Sequence, residues 1–400
     1  MENRSSPFPS PDASTSLRDH IADLIQTHPD RRIPFTAFMD AVLYHPQYGY
    51  YSTQEAIGSR RGDFVTSPNL CADFGELLAE QFREMWERLD HPNPYRLIEM
   101  GAGQGRLADD ILQYLQRQAP DCFEAVQYGI VERSPQLIAQ QRERLNALTH
   151  KIQWYTWDTI PSNSVIGCFF SNELVDAFPV HQVIRQDGQL QEIYLTVDES
   201  GTWREVSDRP STDALQAYFD RIEIDLTSDA YPDGYRTEVN LAALDWLKTV
   251  GDRLHRGYIL TIDYGYPAQR YYSPARSQGT LQCYYQHQHH SDPYLHLGQQ
   301  DITAHVDFTA LERQGEQGGL RTVGFTQQGL FLMALGLGDR LLELSTPKSG
   351  LDLQTILLRR EALHGLADPT GVGNFGVLVQ SKGMEGDGAE LKGFRMPPMG

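Results

Sequence analysis

One stretch constrains this chain more than any other: Tyr95-Arg-Leu-Ile-Glu-Met-Gly-Ala-Gly-Gln-Gly-Arg-Leu107. Strand-type apolar residues, Leu97 and Ile98, run into Gly101, Gly103 and Gly105, and a helical spacing follows from Leu107 to Leu115. A strand, a glycine turn and a helix form the first unit of a doubly wound α/β sheet, in which ligands sit at the carboxyl ends of the strands. The glycines allow a tight bend and a close approach of ligand to backbone. A dinucleotide fingerprint needs a third glycine at the sixth position, and that position is Arg106. Glu99 stands just before the turn, where a carboxylate repels a pyrophosphate and suits a cationic ligand.

The pattern Glu99-Met-Gly-Ala-Gly-Gln-Gly105 resembles motif I of the class I methyltransferases, whose cofactor S-adenosylmethionine carries a sulfonium and an ammonium group. Val126 to Val131 reads as strand two and ends in Glu132, an acid placed to accept both ribose hydroxyls of either NAD or S-adenosylmethionine. Lys151 to Tyr155 reads as strand three, with Trp157-Asp158 just beyond it, where an adenine lies in this fold. Val165 to Phe170 is apolar throughout, as a central parallel strand should be. It ends in Ser171-Asn-Glu-Leu-Val-Asp176, without the Pro-Pro turn of amino-group methyltransferases that act on adenine or glutamine. The expected cofactor-binding residues are Glu99, Gly101, Gly103, Gly105, Glu132, Asp158 and Ser171.

Composition narrows the function classes. The formal charge of −19 disfavours nucleic acid, because phosphate binding needs clustered Lys and Arg. Cys71, Cys122, Cys168 and Cys283 are scattered, against a zinc ribbon or a disulfide scaffold. The histidines of the 287–305 region lack metal-ligand spacing on a predicted helix, so no metal is expected. No apolar run reaches about 18 residues, so no membrane span is expected. The first 14 residues have neither an apolar core for secretion nor the positive charge of a transit peptide, and a cytoplasmic location is expected.

Taken in order, the sequence predicts disordered tails at 1–14 and 384–400. Residues 15–90 read as a helical extension, 91–265 as a Rossmann-like core, 266–364 as an insertion that includes strand six, and 365–383 as the final strand region. A hairpin is predicted over Ile184 to Val197 with Asp187-Gly188 as its turn. An amphipathic helix is predicted over Thr237 to Val250, and strand five ends at Asp263-Tyr-Gly265. Residues 266–306 read as loop, with six Tyr and five His. The expected fold class is therefore α/β, a seven-stranded class I methyltransferase sheet with an N-terminal helical extension and a helical and loop insertion.

Several segments together resemble the MidA-like family, the methyltransferases that include the mitochondrial complex I assembly factor. They are Gly62-Asp-Phe-Val-Thr-Ser-Pro68, Phe74-Gly-Glu76, the glycine turn, Asn172 to His181, Asp263-Tyr-Gly265 and Asp301 to Phe308. The resemblance implies S-adenosylmethionine as cofactor and a protein substrate, an arginine in a subunit of a respiratory or NADH-dehydrogenase-type complex. Asn69 departs from the Glu that the family commonly has after Ser-Pro, which weakens the arginine assignment. A guanidinium is a poor nucleophile because it stays protonated and delocalised. A site that methylates it needs carboxylates to grip it and localise its charge. Glu173 and Asp176 are the expected catalytic pair, with Asn172 positioning, and Asp63, Glu76 and Asp263 are expected to bind substrate. A homodimer is compatible with this reading. The competing readings are a cofactor-binding assembly chaperone, a small-molecule methyltransferase and an NAD-linked oxidoreductase.

Overall fold

The structure, a computed structural model, describes residues 13–53, 67–198, 201–286, 288–345, 352–384 and 390–395. Its core is a sheet of seven strands: β1 Tyr95–Met100, β2 Val126–Val131, β3 Ile152–Tyr155, β4 Val165–Asn172, β5 Leu254–Asp263, β6 Arg321–Gln327 and β7 Gly376–Lys382. Their order is β6-β7-β5-β4-β1-β2-β3. β3, β2, β1, β4 and β5 run parallel, and β7 is antiparallel to both β5 and β6. Chain order reverses direction across the sheet between β1 and β4, which opens a crevice beyond their carboxyl ends. β1 and β4 are almost wholly buried, as strands covered on both faces must be.

The helices that matter for the site are α1 Ala13–Thr27, α2 Phe35–Tyr44, α3 Asp73–Arg88, α4 Arg106–Gln118, α5 Pro135–Arg144, α6 Leu241–Arg253, α7 Gln328–Leu335, α8 Leu337–Leu344 and α9 Leu353–Ala367. Leu107, Ala108, Ile111, Leu112 and Leu115 give α4 a single buried face. α3 lies close against it, since a Cβ at Gly75 would fall 2.7 Å from Asp110 Cβ.

The N-terminal extension is less purely helical than its sequence predicts. Arg32–Pro34 joins a five-stranded sheet with His181–Gln186, Gln189–Val197, Trp203–Asp208 and Arg236–Val239. The predicted hairpin is the centre of that sheet. Its two-residue turn has Asp187 at φ 52° and Gly188 at φ 72°, the left-handed pair that matches strand twist. Arg236–Val239 takes the start of the predicted amphipathic helix, which begins at Leu241 with Asn240 as its cap. The insertion read as loop also holds a three-stranded sheet of Gln282–Tyr285, Gln288–His290 and Asp301–Thr303.

The predicted C-terminal tail needs one correction. Leu391 is buried, and Phe394 meets Phe331 edge-on at 5.4 Å. The N–H groups of Lys392 and Gly393 donate to Glu84 and Gln81 on α3, at 2.7 and 2.9 Å. Apolar burial and two capped amides hold 390–395 against the core, although the surrounding Gly, Met and Pro composition reads as tail. No described helix is long and apolar enough to cross a membrane.

Charge fixes α8 and α9 to α3. Asp73 receives Arg359 bidentately, at 2.5 and 2.8 Å, and Arg340 at 2.7 Å. Burial pushes the Asp73 pKa up, but the two guanidinium groups outweigh it and hold the carboxyl below its ordinary range. Glu76 pairs with Arg117 at 2.7 Å and also with Arg340. Removing the buried Asp73 carboxylate leaves Arg359 uncompensated, while Arg340 keeps Glu76. Asp73→Ala is expected to lower the unfolding free energy by about 3–5 kcal/mol, more than Glu76→Ala, as read from urea denaturation.

Candidate active site

At the end of β1 the backbone turns left-handed three times, at Gly101 (φ 73°), Gly103 (φ 50°) and Gly105 (φ 76°). The Gly101 amide donates to Val131 at the end of β2, 3.0 Å away. Gln141 of α5 braces the turn from behind. Its Nε2 donates to Gly103 O at 2.8 Å and reaches Glu132 at 3.4 Å, while its Oε1 accepts from Trp154 Nε1 at 2.9 Å. The crevice opens here into a cavity of about 720 Å³.

Glu99, Gly101, Gly103 and Glu132 line that cavity. Glu99 is buried and accepts from Tyr128 Oη at 2.7 Å. Burial, only partly offset by that hydrogen bond, pushes its pKa up to about 7. The Glu132 Oε1 accepts from the amides of Arg133 and Ser134, at 2.8 and 3.0 Å. A cationic, ribose-bearing ligand fits this donor set. A Cβ added at Gly103 would meet nothing within 4 Å, because it would stand in the open cavity.

The other expected cofactor contacts divide. Gly105 forms the left-handed entry to α4 and does not line the cavity. Asp158 is exposed and lines no part of it, although its neighbour Trp157 does. Ser171 is fully buried within β4 and also stays out of the cavity, because its strand neighbours cover it.

Asn172 and Glu173 close the cavity at the end of β4. Glu173 has φ 52°, a left-handed conformation that a residue with a side chain rarely adopts. Its Oε1 accepts from the Ser67 amide at 3.3 Å and from Asn172 Nδ2 at 3.0 Å. Burial first, then the charge of Asp176, raises its pKa to about 8. Asp176 is buried just behind, its Oδ2 accepting from Tyr264 Oη at 2.6 Å, and burial lifts its pKa to about 6.

Beyond Glu173 lies a second cavity of about 300 Å³, walled by Tyr264, Tyr266, Tyr284, His305 and Phe375. Among the described residues Glu173 alone lines both cavities.

Of the three substrate contacts expected from sequence, two stand away from both cavities and the third cannot be placed among the described residues. Asp263 is fully buried and lines neither cavity. Its Oδ2 accepts the amides of Leu174, Val175 and Asp176, at 3.2, 2.9 and 3.3 Å, and its Oδ1 accepts the Tyr264 amide at 2.9 Å. It is a backbone clamp, because both of its oxygens accept from main-chain amides. Glu76 is committed to Arg117 and Arg340 and also lines neither cavity. Asp63 lies outside the described residues.

The sequence also left cavity residues unnamed. Tyr44, at the end of α2, and Tyr51 lie over the large cavity, stacked at 5.3 Å. Arg133 packs on the Tyr44 ring, and Trp246 reaches in from α6. The dense Tyr and His content of 266–306 is the one signal that pointed to the walls of the second cavity.

This strand order, with β7 reversed and a glycine turn between two acid-tipped strands, defines the class I S-adenosylmethionine-dependent methyltransferase fold. Residues 77–326 match the Methyltransf_28 family, described as "Putative S-adenosyl-L-methionine-dependent methyltransferase", and the chain belongs to that family. A Burkholderia thailandensis protein solved with S-adenosyl-homocysteine bound is 33% identical, with a TM-score of 0.83 over 98% of each chain. The Drosophila melanogaster "Protein arginine methyltransferase NDUFAF7 homolog, mitochondrial" is 29% identical over 379 residues, 88% of this chain and 81% of the relative. The Homo sapiens "Protein arginine methyltransferase NDUFAF7, mitochondrial" is 27% identical over 88% of this chain and 81% of its own length. The cofactor is S-adenosylmethionine.

Overpacking a fitted cavity costs about 1–3 kcal/mol, and the Gly103 Cβ would enter the cavity rather than the core. Gly103→Ala is therefore expected to weaken S-adenosyl-homocysteine binding by about 10- to 100-fold in calorimetric titration. Left-handed strain should cost the fold only about 1–2 kcal/mol.

Proposed function

We propose that the chain transfers a methyl group to a guanidino nitrogen of an arginine in a protein substrate. The single observation that carries this is the place of Glu173, where the cofactor cavity and a separate aromatic-walled cavity meet. The names of the Drosophila and human relatives support the arginine assignment. The family resemblance points to a subunit of a respiratory NADH-dehydrogenase-type complex as the protein modified.

When bound, S-adenosylmethionine supplies an electrophilic methyl group on a sulfonium. Glu132 and the glycine turn hold the cofactor end of the site. Tyr264, Tyr266 and Phe375 offer aromatic faces to a cationic side chain. Glu173 Oε1 is occupied by two N–H donors, and Oε2 has no protein donor among the described residues. Oε2 is the acceptor that receives a substrate N–H, localises the positive charge on the far nitrogens and leaves electron density on the nitrogen to be methylated. The guanidinium displaces the proton that Glu173 carries in the empty site. The proton released from the methylated nitrogen is taken up by Glu173 Oε2 and passes from there to solvent.

Asp176 acts through Tyr264 and not by direct contact, since its Oδ2 takes the phenol and it lines neither cavity. It is a positioning residue in this mechanism. Asn172 orients Glu173 through its amide nitrogen.

The test is transfer of labelled methyl from S-adenosylmethionine into the proteins of a cell extract. Losing a charge-accepting group that acts on the reacting atom costs about 10²–10³ in rate. Glu173→Gln is expected to lose that much while S-adenosyl-homocysteine affinity changes less than ~3-fold. A Glu173→Gln variant as active as the parent would remove the basis of the proposal.

A pH profile separates the ionised role of Glu173 from a packing role. The kcat/KM limb should rise with pH and level off at or below about 8, and it should vanish in Glu173→Gln. Bound cationic cofactor moves the limb downward. Because the folded pKa is raised above the ordinary 4.5, the ligand-free fold holds a proton that the unfolded chain releases. Thermal stability of the empty protein is therefore expected to fall as pH rises from about 4.5 to about 8, with a shallower fall in Glu173→Gln.

A further inference from the structure

Among the described residues, five charged side chains line the cofactor cavity: the acids Glu99, Glu132 and Glu173, and the cations Arg106 and Arg133. S-adenosylmethionine is not purely cationic. Its methionine arm ends in one carbon that bears both an ammonium and a carboxylate. A carboxylate brought among three others needs a cation beside it.

Arg106 stands where a basic side chain is out of place. It is the first residue of α4, a 13-residue helix whose N-cap is Gly105 and which has no side-chain cap. The helix dipole favours an anion at this end and a cation at the other. Among the described residues the Arg106 side chain makes one long contact, Nε to Gln104 Oε1 at 3.5 Å, and no ion pair. Its Nη1 and Nη2 have no protein acceptor there and are not among the buried unpartnered atoms, so both reach open space. Glu99 is alike in this respect. Its Oε2 takes the Tyr128 phenol, while Oε1 has no donor among the described residues and is not closed off.

Arg133 is placed differently. It follows Glu132 at the end of β2, is exposed, and lies over the Tyr44 ring at 4.6 Å. With the ribose on Glu132, Arg133 stands at the adenosine end of the cavity. The methionine arm leaves the ribose in the other direction. With its sulfur toward Glu173, its amino-acid end comes back against the glycine turn. Glu99 precedes that turn and Arg106 follows it. An ammonium and a carboxylate on one carbon thus meet a carboxylate and a guanidinium at the two ends of one short loop.

We propose that Arg106 is the residue that receives the carboxylate of the cofactor, through paired hydrogen bonds from Nη1 and Nη2, and that it makes the site selective for an adenosyl amino acid over an adenosyl amine. Two parallel N–H donors from a guanidinium match the two oxygens of a carboxylate, which a neutral amide or a single ammonium does not reproduce. The role concerns the cofactor and holds whichever side chain is methylated.

The experiment is calorimetric titration of the full chain with two probes, S-adenosyl-homocysteine and its decarboxylated analogue, which keeps the adenosine, the sulfur and the ammonium. A hydrogen-bonded contact between charged groups contributes about 10- to 100-fold in affinity. The parent protein is expected to favour S-adenosyl-homocysteine by about that factor. Arg106→Gln is expected to weaken S-adenosyl-homocysteine by the same factor and to leave the decarboxylated analogue within ~3-fold, so that the preference disappears. Arg133→Gln should change both affinities alike and keep the preference.

A preference that survives in Arg106→Gln overturns the proposal, and its loss in Arg133→Gln instead would assign the carboxylate to Arg133. A parent protein that binds the two probes equally overturns it as well. If Arg106→Gln binds neither probe, Arg106→Ala decides: a lost preference with the decarboxylated analogue still bound supports the proposal, and a kept preference overturns it.

Discussion

The site depends on one buried carboxylate. Asp263, at the end of β5, gathers the amides of Leu174, Val175 and Asp176 from the turn after β4 and the amide of its own neighbour Tyr264. Four backbone donors converging on one side chain tie two parallel strands together beyond their last sheet hydrogen bonds. The groups that build the junction of the two cavities hang from that tie. Glu173 stands in its left-handed conformation at the start of the clamped turn, Asp176 at its end, and Tyr264 on the opposing strand. Strained backbone persists only where the surroundings over-determine it, and here the clamp does so.

Carboxylates concentrate at this edge of the sheet. Glu99 sits at about 7, Glu173 at about 8 and Asp176 at about 6, each raised first by burial. Such an edge is unfavourable when empty, because every charge placed there is poorly solvated and repels the next. Both reactants of the proposed reaction are cations. A sulfonium on one side of Glu173 and a guanidinium on the other relieve the same repulsion. Charge complementarity is thus part of the architecture, and it gives the net acidity of the chain a local meaning that composition alone does not carry.

Much of the fold was legible in the sequence, for identifiable reasons. The strands that form the centre of the sheet are continuous apolar runs, and the glycine turn has few alternatives once Glu99 and Glu132 stand at strand ends. Glu173 and Asn172 were legible because polar residues directly after a buried strand mark the ligand edge. Asp263 was misassigned, since a carboxylate at a strand end looks the same whether it faces ligand or caps amides. Glu76 was misassigned because its partners, Arg117 and Arg340, are distant in sequence. The five-stranded sheet was largely missed, since Arg32–Pro34 and Arg236–Val239 are too short to show a period of two. Tyr44, Tyr51 and Trp246 lie on helical or loop segments whose orientation only tertiary packing sets.

Glu173 as the meeting point of two cavities is the claim on which the rest turns. A crystal structure of the protein with S-adenosyl-homocysteine bound tests it most directly. The cofactor sulfur is expected beside Glu173, with the face that would carry the methyl group open to the cavity walled by Tyr264, Tyr266 and His305. A homocysteine arm directed away from Glu173, or a sulfur sealed from that second cavity, would contradict it.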